Sequence, residues 1–289
     1  MTSKKLILVT GGAGFIGSHL CARLIKEGHT VISLDNYFTG SRDNHVEGVE
    51  YRTGHTKDIE KHVGETPDLI YHLGEYSRVE ISLKEPALVW DLNKDGTFGV
   101  LEFWRKRGGK LMYAGSSTKF GDGGLGRMQS PYAWTKASNT ELVRNYSDWY
   151  GLVHATTYFY NVYGPRERPA QEYGTVIETF RRQYLKREPL TVNAPGTQKR
   201  NFTHVEDIID GLILVGGDGT GDDFGIGDEQ AYSILEVAQM FGGDIIMNPA
   251  SQGNRMNSDI DTSKTRSLGW TPKRNLADYI TEVRRSTAR

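Results

Sequence analysis

The chain has 289 residues, a formal net charge of −1 and charged residues of both signs making up 25% of its length. It therefore lacks the one-sided charge that marks a nucleic-acid or anionic-membrane binder. The single cysteine, Cys21, excludes an internal disulfide and reads as a small buried filler. No stretch is apolar for long enough to span a bilayer, and the first apolar run is too short for a signal peptide. A soluble cytoplasmic protein without membrane or nucleic-acid partners is expected, with material for one large domain or a domain and a half.

The first element is the apolar run Leu6–Val9, rich in β-branched residues and suited to a strand buried on both faces. It meets Gly11, Gly14 and Gly17, and then a helical pattern with Ile16, Leu20, Leu24 and Ile25 on one side. Glycine permits the tight turn and lets the backbone approach a phosphate. The helix start aims its N–H groups and positive dipole end at that anion. G-x-x-G-x-x-G spacing alone is weak, but strand, glycines and helix arrive in the order a dinucleotide site needs. A second strand, Thr30–Leu34, ends on Asp35. A carboxylate there can accept hydrogen bonds from both adenosine ribose hydroxyls and would repel a 2′-phosphate, which favours NAD over NADP. Arg42, a few residues on, is the one neighbour that weakens this preference.

Asp68–Leu73 reads as a buried strand, Ser82–Leu92 and Asp95–Arg107 as helices, and Lys110–Gly115 as a further strand. Such alternation predicts an α/β fold with a Rossmann-type, doubly wound parallel sheet and ligands beyond the carboxyl ends of its strands. A glycine-rich loop, Gly121–Gly126, leads to Ser130-Pro131, an N-cap followed by proline at the first helical position. The helix so opened runs to Tyr150, with Gly151 as its stop. After a strand His154–Tyr160 the alternation loosens, and Tyr163-Gly-Pro-Arg166 marks a boundary. The remainder reads as a helix Val176–Arg187, strands Leu190–Val192 and Phe224–Ile226, and a helix with the capping box Ser233-Ile-Leu-Glu236. Gly216–Asp223 reads as a surface loop. The expected organisation is a dinucleotide-binding domain over 1–165 and a smaller mixed α/β substrate lobe over 166–289. Segments near 200–210 are expected to pack back on the first domain.

Tyr132 and Lys136 stand four apart on the helix opened by Ser130-Pro131, so their side chains share a face. A tyrosine is a poor base at neutral pH, with an unperturbed pKa near ~10. A lysine ammonium one turn away and an oxidised nicotinamide would both stabilise its phenolate, bringing it into range for taking a proton from an alcohol. Y-x-x-x-K alone is frequent by chance, but the preceding strand also ends in Gly115-Ser116-Ser117-Thr118, supplying hydroxyls where the sheet opens. No His/Cys/Asp/Glu cluster has metal-ligand spacing, so no metal is expected.

With the glycine loop and Asp35, these features resemble the extended short-chain dehydrogenase/reductase family of nucleotide-sugar enzymes. The resemblance spans nearly the whole chain. It includes His72-Leu-Gly74, Val79-x-x-Ser82-x-x-x-Pro86, Asn93-x-x-Gly96-Thr97-x-x-x-Leu101-Glu102 and Asn161-Val-Tyr-Gly-Pro-Arg166. It continues in Arg200-Asn-Phe-Thr-His-Val-Glu-Asp207 and Asp261-x-Ser-Lys264-x-x-x-Leu-Gly269-Trp270.

The resemblance implies that Ser116 completes a catalytic trio with Tyr132 and Lys136, its hydroxyl bonding the sugar O4. Ser117 is its competitor, since neighbouring residues at a strand end point opposite ways. It further implies NAD contacts from Gly11, Gly14, Phe15, Ile16, Gly17, Asp35, Asn36, Gly40, Leu73, Gly74, Asn93 and Phe159, besides Tyr132 and Lys136. Substrate contacts are implied for Ser117, Thr118, Asn161, Arg200 and Arg255, the arginines suiting a diphosphate through their planar forks. Two residues depart from the family pattern. Glu75 stands where a small residue is usual and is a candidate substrate contact, and Lys119 replaces a hydrophobic residue before Phe120-Gly121. The activity so implied is a 4-epimerase of the UDP-glucose or UDP-N-acetylglucosamine kind. A 4,6-dehydratase or 4-dehydrogenase is the alternative, and a non-catalytic dinucleotide sensor a minor one. Those dehydratases carry an Asp-Glu pair after the strand-end hydroxyl, where this chain has Ser117 and Thr118. A homodimer through the Tyr132 helix and its predecessor is expected from the family alone.

Overall fold

The computed structural model describes residues 3–117, 126–159, 161–168, 174–249 and 261–286. Strands β1 (Leu6–Thr10), β2 (Thr30–Asp35), β3 (Glu50–Thr53), β4 (Leu69–His72), β5 (Lys110–Ala114) and β6 (Val153–Phe159) fall in the first half. The rest of the chain adds β7 (Val162–Tyr163), β8 (Leu190–Asn193), β9 (Lys199–Asn201), β10 (Thr203–His204), β11 (Gly221–Ile226), β12 (Ala231–Ser233) and β13 (Ile245–Asn248). Seven of them form one sheet in the order β3-β2-β1-β4-β5-β6-β11, every neighbouring pair parallel. The strand order reverses between β1 and β4, and the crevice opened there is where a doubly wound sheet binds its ligand.

Helices cover both faces. On one, Phe15–Lys26 and Val205–Asp218 bury Leu20, Leu24, Ile208, Ile209 and Leu212 against Ile7, Val9 and Tyr71 of the sheet. On the other, Gly96–Arg107 and Pro131–Tyr150 bury Val100, Phe103, Trp104 and Val143 against Leu8, Ile70 and Leu111. Successive strand residues point to opposite faces, so a sheet covered twice needs unbroken apolar runs, as β1 supplies. The caps of the helix Pro131–Tyr150 are local chemistry. Ser130 Oγ accepts from Ala133 N at 3.1 Å, Pro131 is the first helical residue, and Gly151 at φ 63° closes it.

The remainder forms a smaller lobe around Phe180, Phe241, Leu190, Val192 and Ile280. It contains the parallel pair β8–β13 and helices Val176–Leu185, Ile234–Phe241 and Leu276–Ser286. The capping box of Ser233 and Glu236 forms in both directions. The chain does not leave the sheet for good at residue 166: the helix Val205–Asp218 and strand β11 return to it, and Trp270 joins their core.

Two readings of local structure are corrected. Gly216–Asp223 is no loop: the helix continues to Asp218 and β11 starts at Gly221. Gly216 lies where the helix crosses β4, and a Cβ there would meet Tyr71 Oη at 2.1 Å. Its smallness serves packing. The single helix Ser82–Leu92 is broken into short turns, Val79–Ser82 and Pro86–Val89, followed by a wide turn Trp90–Asp95 that runs into Gly96–Arg107. Pro86, which has no N–H to donate, restarts the chain as a first-turn residue.

Candidate active site

A cleft of about 400 Å³ opens over the β1–β4 crevice. Gly11, Gly14, Phe15, Ile16, Gly17, Asp35 and Asn36 line it at one end, and Ser116, Ser117, Tyr132 and Lys136 at the other. Leu73, Gly74 and Phe159 lie between them. The glycines are required by geometry. Gly11 has φ 75°, and a Cβ on it would stand 2.8 Å from Gly74 Cα. A Cβ on Gly17 would stand 2.1 Å from Gly11 O, so the helix can start this close to the strand only without one. That helix follows Gly14 with no side-chain cap among the described residues, the arrangement suited to a phosphate.

Asp35 ends β2 with its carboxylate 6% exposed. Oδ2 accepts from Ala13 N at 2.9 Å and Oδ1 from Tyr37 N at 2.8 Å. Burial pushes this carboxyl up from its ordinary range, against the two N–H groups that favour its charge. Gly40 leaves room beside it, since a Cβ there would come within 2.9 Å of Oδ1. Arg42 lies over the Tyr37 ring, 5.7 Å from its centroid. A glycine turn at a helix start, a buried carboxylate and a Tyr/Lys pair at the far end thus line one continuous cleft, an arrangement that fits a dinucleotide.

At the catalytic end Tyr132 Oη donates to Ser116 Oγ at 3.1 Å. Ser117 borders the same space without that bond to Tyr132. Lys136 is 4% exposed. Its Nζ donates to Ala114 O and to Glu75 Oε2 and lies 4.6 Å from the centre of the Tyr113 ring. Glu75 borders the cleft, yet its side chain is 3% exposed and turned inward. Oε1 accepts from Thr97 Oγ1 at 2.8 Å, Asn139 Nδ2 at 3.0 Å and Tyr113 Oη at 3.2 Å. With Lys136, four donors from within the protein engage its oxygens, so the substrate contact expected of Glu75 would compete with these bonds. Burial alone would raise the carboxyl, but Lys136 and His72 nearby, with hydrogen bonds from Lys136 and Thr97, hold it below its ordinary value. His72 Nδ1 shares a proton with Thr10 Oγ1 at 2.7 Å, and Nε2 with Thr97 Oγ1 at 3.0 Å. Burial pulls its imidazole down to about 4, so it is neutral near pH ~7.

Asn93, expected at the cofactor, lies in the wall of the cleft. It is fully buried, its Oδ1 accepting from Tyr76 N at 2.6 Å and its Nδ2 donating to Thr135 Oγ1 at 3.0 Å. Through these bonds it fastens the wall of the cleft. Asn161 and Arg200 line an adjoining chamber of about 370 Å³ that shares Ser77, Arg78 and Thr175 with the main cleft. Asn161 Nδ2 donates to Asn201 O at 2.9 Å, which ties β9 to the end of β6. Thr118, Lys119, Phe120, most of the Gly121–Gly126 loop, Tyr160 and Arg255 lie outside the described residues.

Glu167, which the sequence did not single out, lines the main cleft and accepts from Thr175 N at 2.7 Å. Burial pushes its carboxyl up to about 7, although part of the residue remains accessible to solvent. Its place just after the Asn161–Arg166 motif was the available signal.

The sequence profile of the NAD-dependent epimerase/dehydratase family matches residues 7–227. The chain belongs to this family. Its cofactor is NAD. A putative UDP-glucose 4-epimerase of Methanocaldococcus jannaschii is 30% identical over an alignment 298 positions long that covers 96% of this chain and 97% of that protein. UDP-glucuronic acid decarboxylase 6 of Arabidopsis thaliana is 32% identical over an alignment 303 positions long that covers 96% of this chain and 87% of that one. The crystal structure of a Thermus thermophilus UDP-glucose 4-epimerase in complex with NAD superposes with a TM-score of 0.87 at 27% identity. That match covers 98% of this chain and 99% of the other. Among the described residues no helix is long and apolar enough to cross a membrane, and no group of three His, Cys, Asp or Glu could hold a metal ion.

Proposed function

We propose that this epimerase/dehydratase family member is a nucleotide-sugar 4-epimerase acting on a UDP-hexose. The observation that carries this reading is the Tyr132–Ser116 hydrogen bond at 3.1 Å, with the Lys136 ammonium one helical turn behind it. Gly11, Gly14 and Gly17 with Asp35 would hold the diphosphate and adenosine ribose of NAD, and Tyr132 and Lys136 its nicotinamide end. When bound, NAD supplies the acceptor for the hydride leaving C4 of the sugar and returns it afterwards.

The residues of the chain handle the proton. Ser116 Oγ, already bonded to Tyr132 Oη, is placed to bridge the sugar O4 and the phenol. Tyr132 takes the O4 proton as C4 is oxidised, and gives it back once the 4-keto sugar has turned its other face. Lys136 favours the phenolate that exists between these steps. Asn161, Arg200 and Arg255 are assigned to the nucleotide diphosphate.

Elimination of water after C4 oxidation would need a base for C5 and an acid for O6. Ser117 follows Ser116 where an acid would be needed, and Glu75 is spent on Lys136. Among the described residues lining the cleft, that leaves one carboxyl besides Asp35, Glu167, where two are required. A second reading, decarboxylation of a UDP-hexuronate with hydride taken from C4 and then returned, is favoured by the decarboxylase among the relatives. The mass of the product from a panel of UDP-sugars separates the two: unchanged for the epimerase, lighter by carbon dioxide for the decarboxylase.

A further inference from the structure

The Lys136 amine has an uncommon partner. A lysine that serves a tyrosine base needs its charge directed at the phenol and cofactor, yet here it is paired with a carboxylate inside the protein. That carboxylate is fixed by three further residues: Thr97 on the helix Gly96–Arg107, Tyr113 on β5, and Asn139 on the helix that carries Lys136 itself. Asn139 Nδ2 is in turn held by Asn93 O at 2.8 Å and Thr97 Oγ1 at 3.1 Å. Four donors converge on two oxygens. A carboxylate so fastened cannot follow the lysine outward; the lysine must come to it.

We propose that Glu75 is a positioning residue: its carboxylate sets the location of the Lys136 ammonium and, as its counter-ion, raises the pH at which Tyr132 ionises. The proposal rests on the reading of Tyr132 as the base. Charge bookkeeping around the carboxylate supports it. Lys136 faces it directly. Lys94, on the turn Trp90–Asp95, acts on it from further off while donating to Asn139 Oδ1 at 2.8 Å. His72 on β4 is neutral at working pH, and Tyr113 on β5 keeps its proton, pushed well above the ordinary range by burial and by Glu75. Glu75 is therefore the anion of this group, and it offsets part of the positive field that Lys136 exerts on Tyr132. Arg78 and Glu167 also line the cleft.

The test is a pH titration of tyrosinate absorbance in NAD-saturated protein. The Tyr132 signal is isolated by subtracting the matched Tyr132→Phe protein in native, Glu75→Gln and Glu75→Asp backgrounds. Glu75→Gln removes the charge and keeps the shape. The Tyr132 midpoint is expected to fall by ~1 pH unit, because a buried unit charge acts through an effective dielectric well below that of water. Glu75→Asp keeps the charge but draws it back by one methylene, so the midpoint falls by less; it also serves if the glutamine variant does not fold. A midpoint that stays or rises in a folded variant overturns the proposal. No substrate is needed, so an incorrect sugar assignment leaves the result intact. An incorrect base assignment shows separately, as turnover that survives Tyr132→Phe.

Discussion

Tyr132 Oη and Ser116 Oγ are 3.1 Å apart, the phenol donating to the serine. One side chain comes from the first turn of the helix Pro131–Tyr150 and the other from just beyond β5, so the pair forms only when helix and sheet are packed together. Tyr132→Phe keeps that packing and removes the ionisable oxygen. Turnover is expected to fall by at least ~10²–10⁴-fold, the usual worth of general acid–base help, with NAD affinity by calorimetry nearly unchanged. Ser116→Ala should lower turnover as well, and Ser117→Ala should do so much less. The reverse order of the two serines would move the third catalytic role to Ser117.

Cofactor choice is expected to depend on Asp35. Both of its oxygens are oriented by backbone N–H groups at 2.8–2.9 Å, so the carboxylate cannot swing away from a 2′-phosphate. The protein is expected to bind NAD well and NADP poorly, and Asp35→Ala to narrow the gap. Calorimetry with both dinucleotides measures it, and equal affinities in the unmutated protein would refute the assignment.

The fold could be read wherever a local rule decides it. Ser130-Pro131 and Gly151 fix the ends of the Tyr132 helix through contacts within a few residues, and the glycine turn after β1 needs only its own backbone. The short edge strand β3, Glu50–Thr53, has no continuous apolar face, and pairing with β2 alone makes it a strand. Gly216 looks like a loop residue until Tyr71, far away in sequence, explains it. The same holds within the site. Tyr132 and Lys136 are legible because they share a helix face. The role of Glu75 is set by Thr97, Tyr113, Lys136 and Asn139, between 22 and 64 residues away. A charge beside a cleft suggests substrate, and only the fold reveals that it has been turned inward.

His72 makes stability depend on pH in a definite direction. Its imidazole is pulled down from 6.5 to about 4 by burial, while in the unfolded chain it takes its proton at the ordinary value. The unfolded state therefore binds the extra proton first as pH falls. The contribution is fully present above about 6.5 and is lost progressively down to about 4, up to ~3 kcal/mol in all. Denaturant titrations at about pH 7 and about pH 5 should differ by roughly 2 kcal/mol more for the native protein than for His72→Gln. Equal differences in the two proteins would mean that His72 is not held neutral.

Breaking the buried ion pair from one side should be costly. Lys136→Met leaves the Glu75 carboxylate buried beside a thioether, and stability is expected to fall by ~3–5 kcal/mol near neutral pH. Replacing both residues, Glu75→Met with Lys136→Met, removes both charges and should recover most of that loss while turnover stays abolished. Thermal or denaturant unfolding of the three proteins reads the difference; a double variant no more stable than Lys136→Met would contradict a coupled pair.

The central claim is that C4 is oxidised and reduced again on the opposite face, with nothing lost from the sugar. The most direct measurement incubates the protein and NAD with UDP-glucose, UDP-N-acetylglucosamine and UDP-glucuronate in turn, following product mass and, by proton coupling, configuration at C4. The account predicts at least one product of unchanged mass with C4 inverted. A product lighter by water or by carbon dioxide, with no inverted sugar from any of the three, would contradict it and place the chain among the dehydratases or decarboxylases of its family.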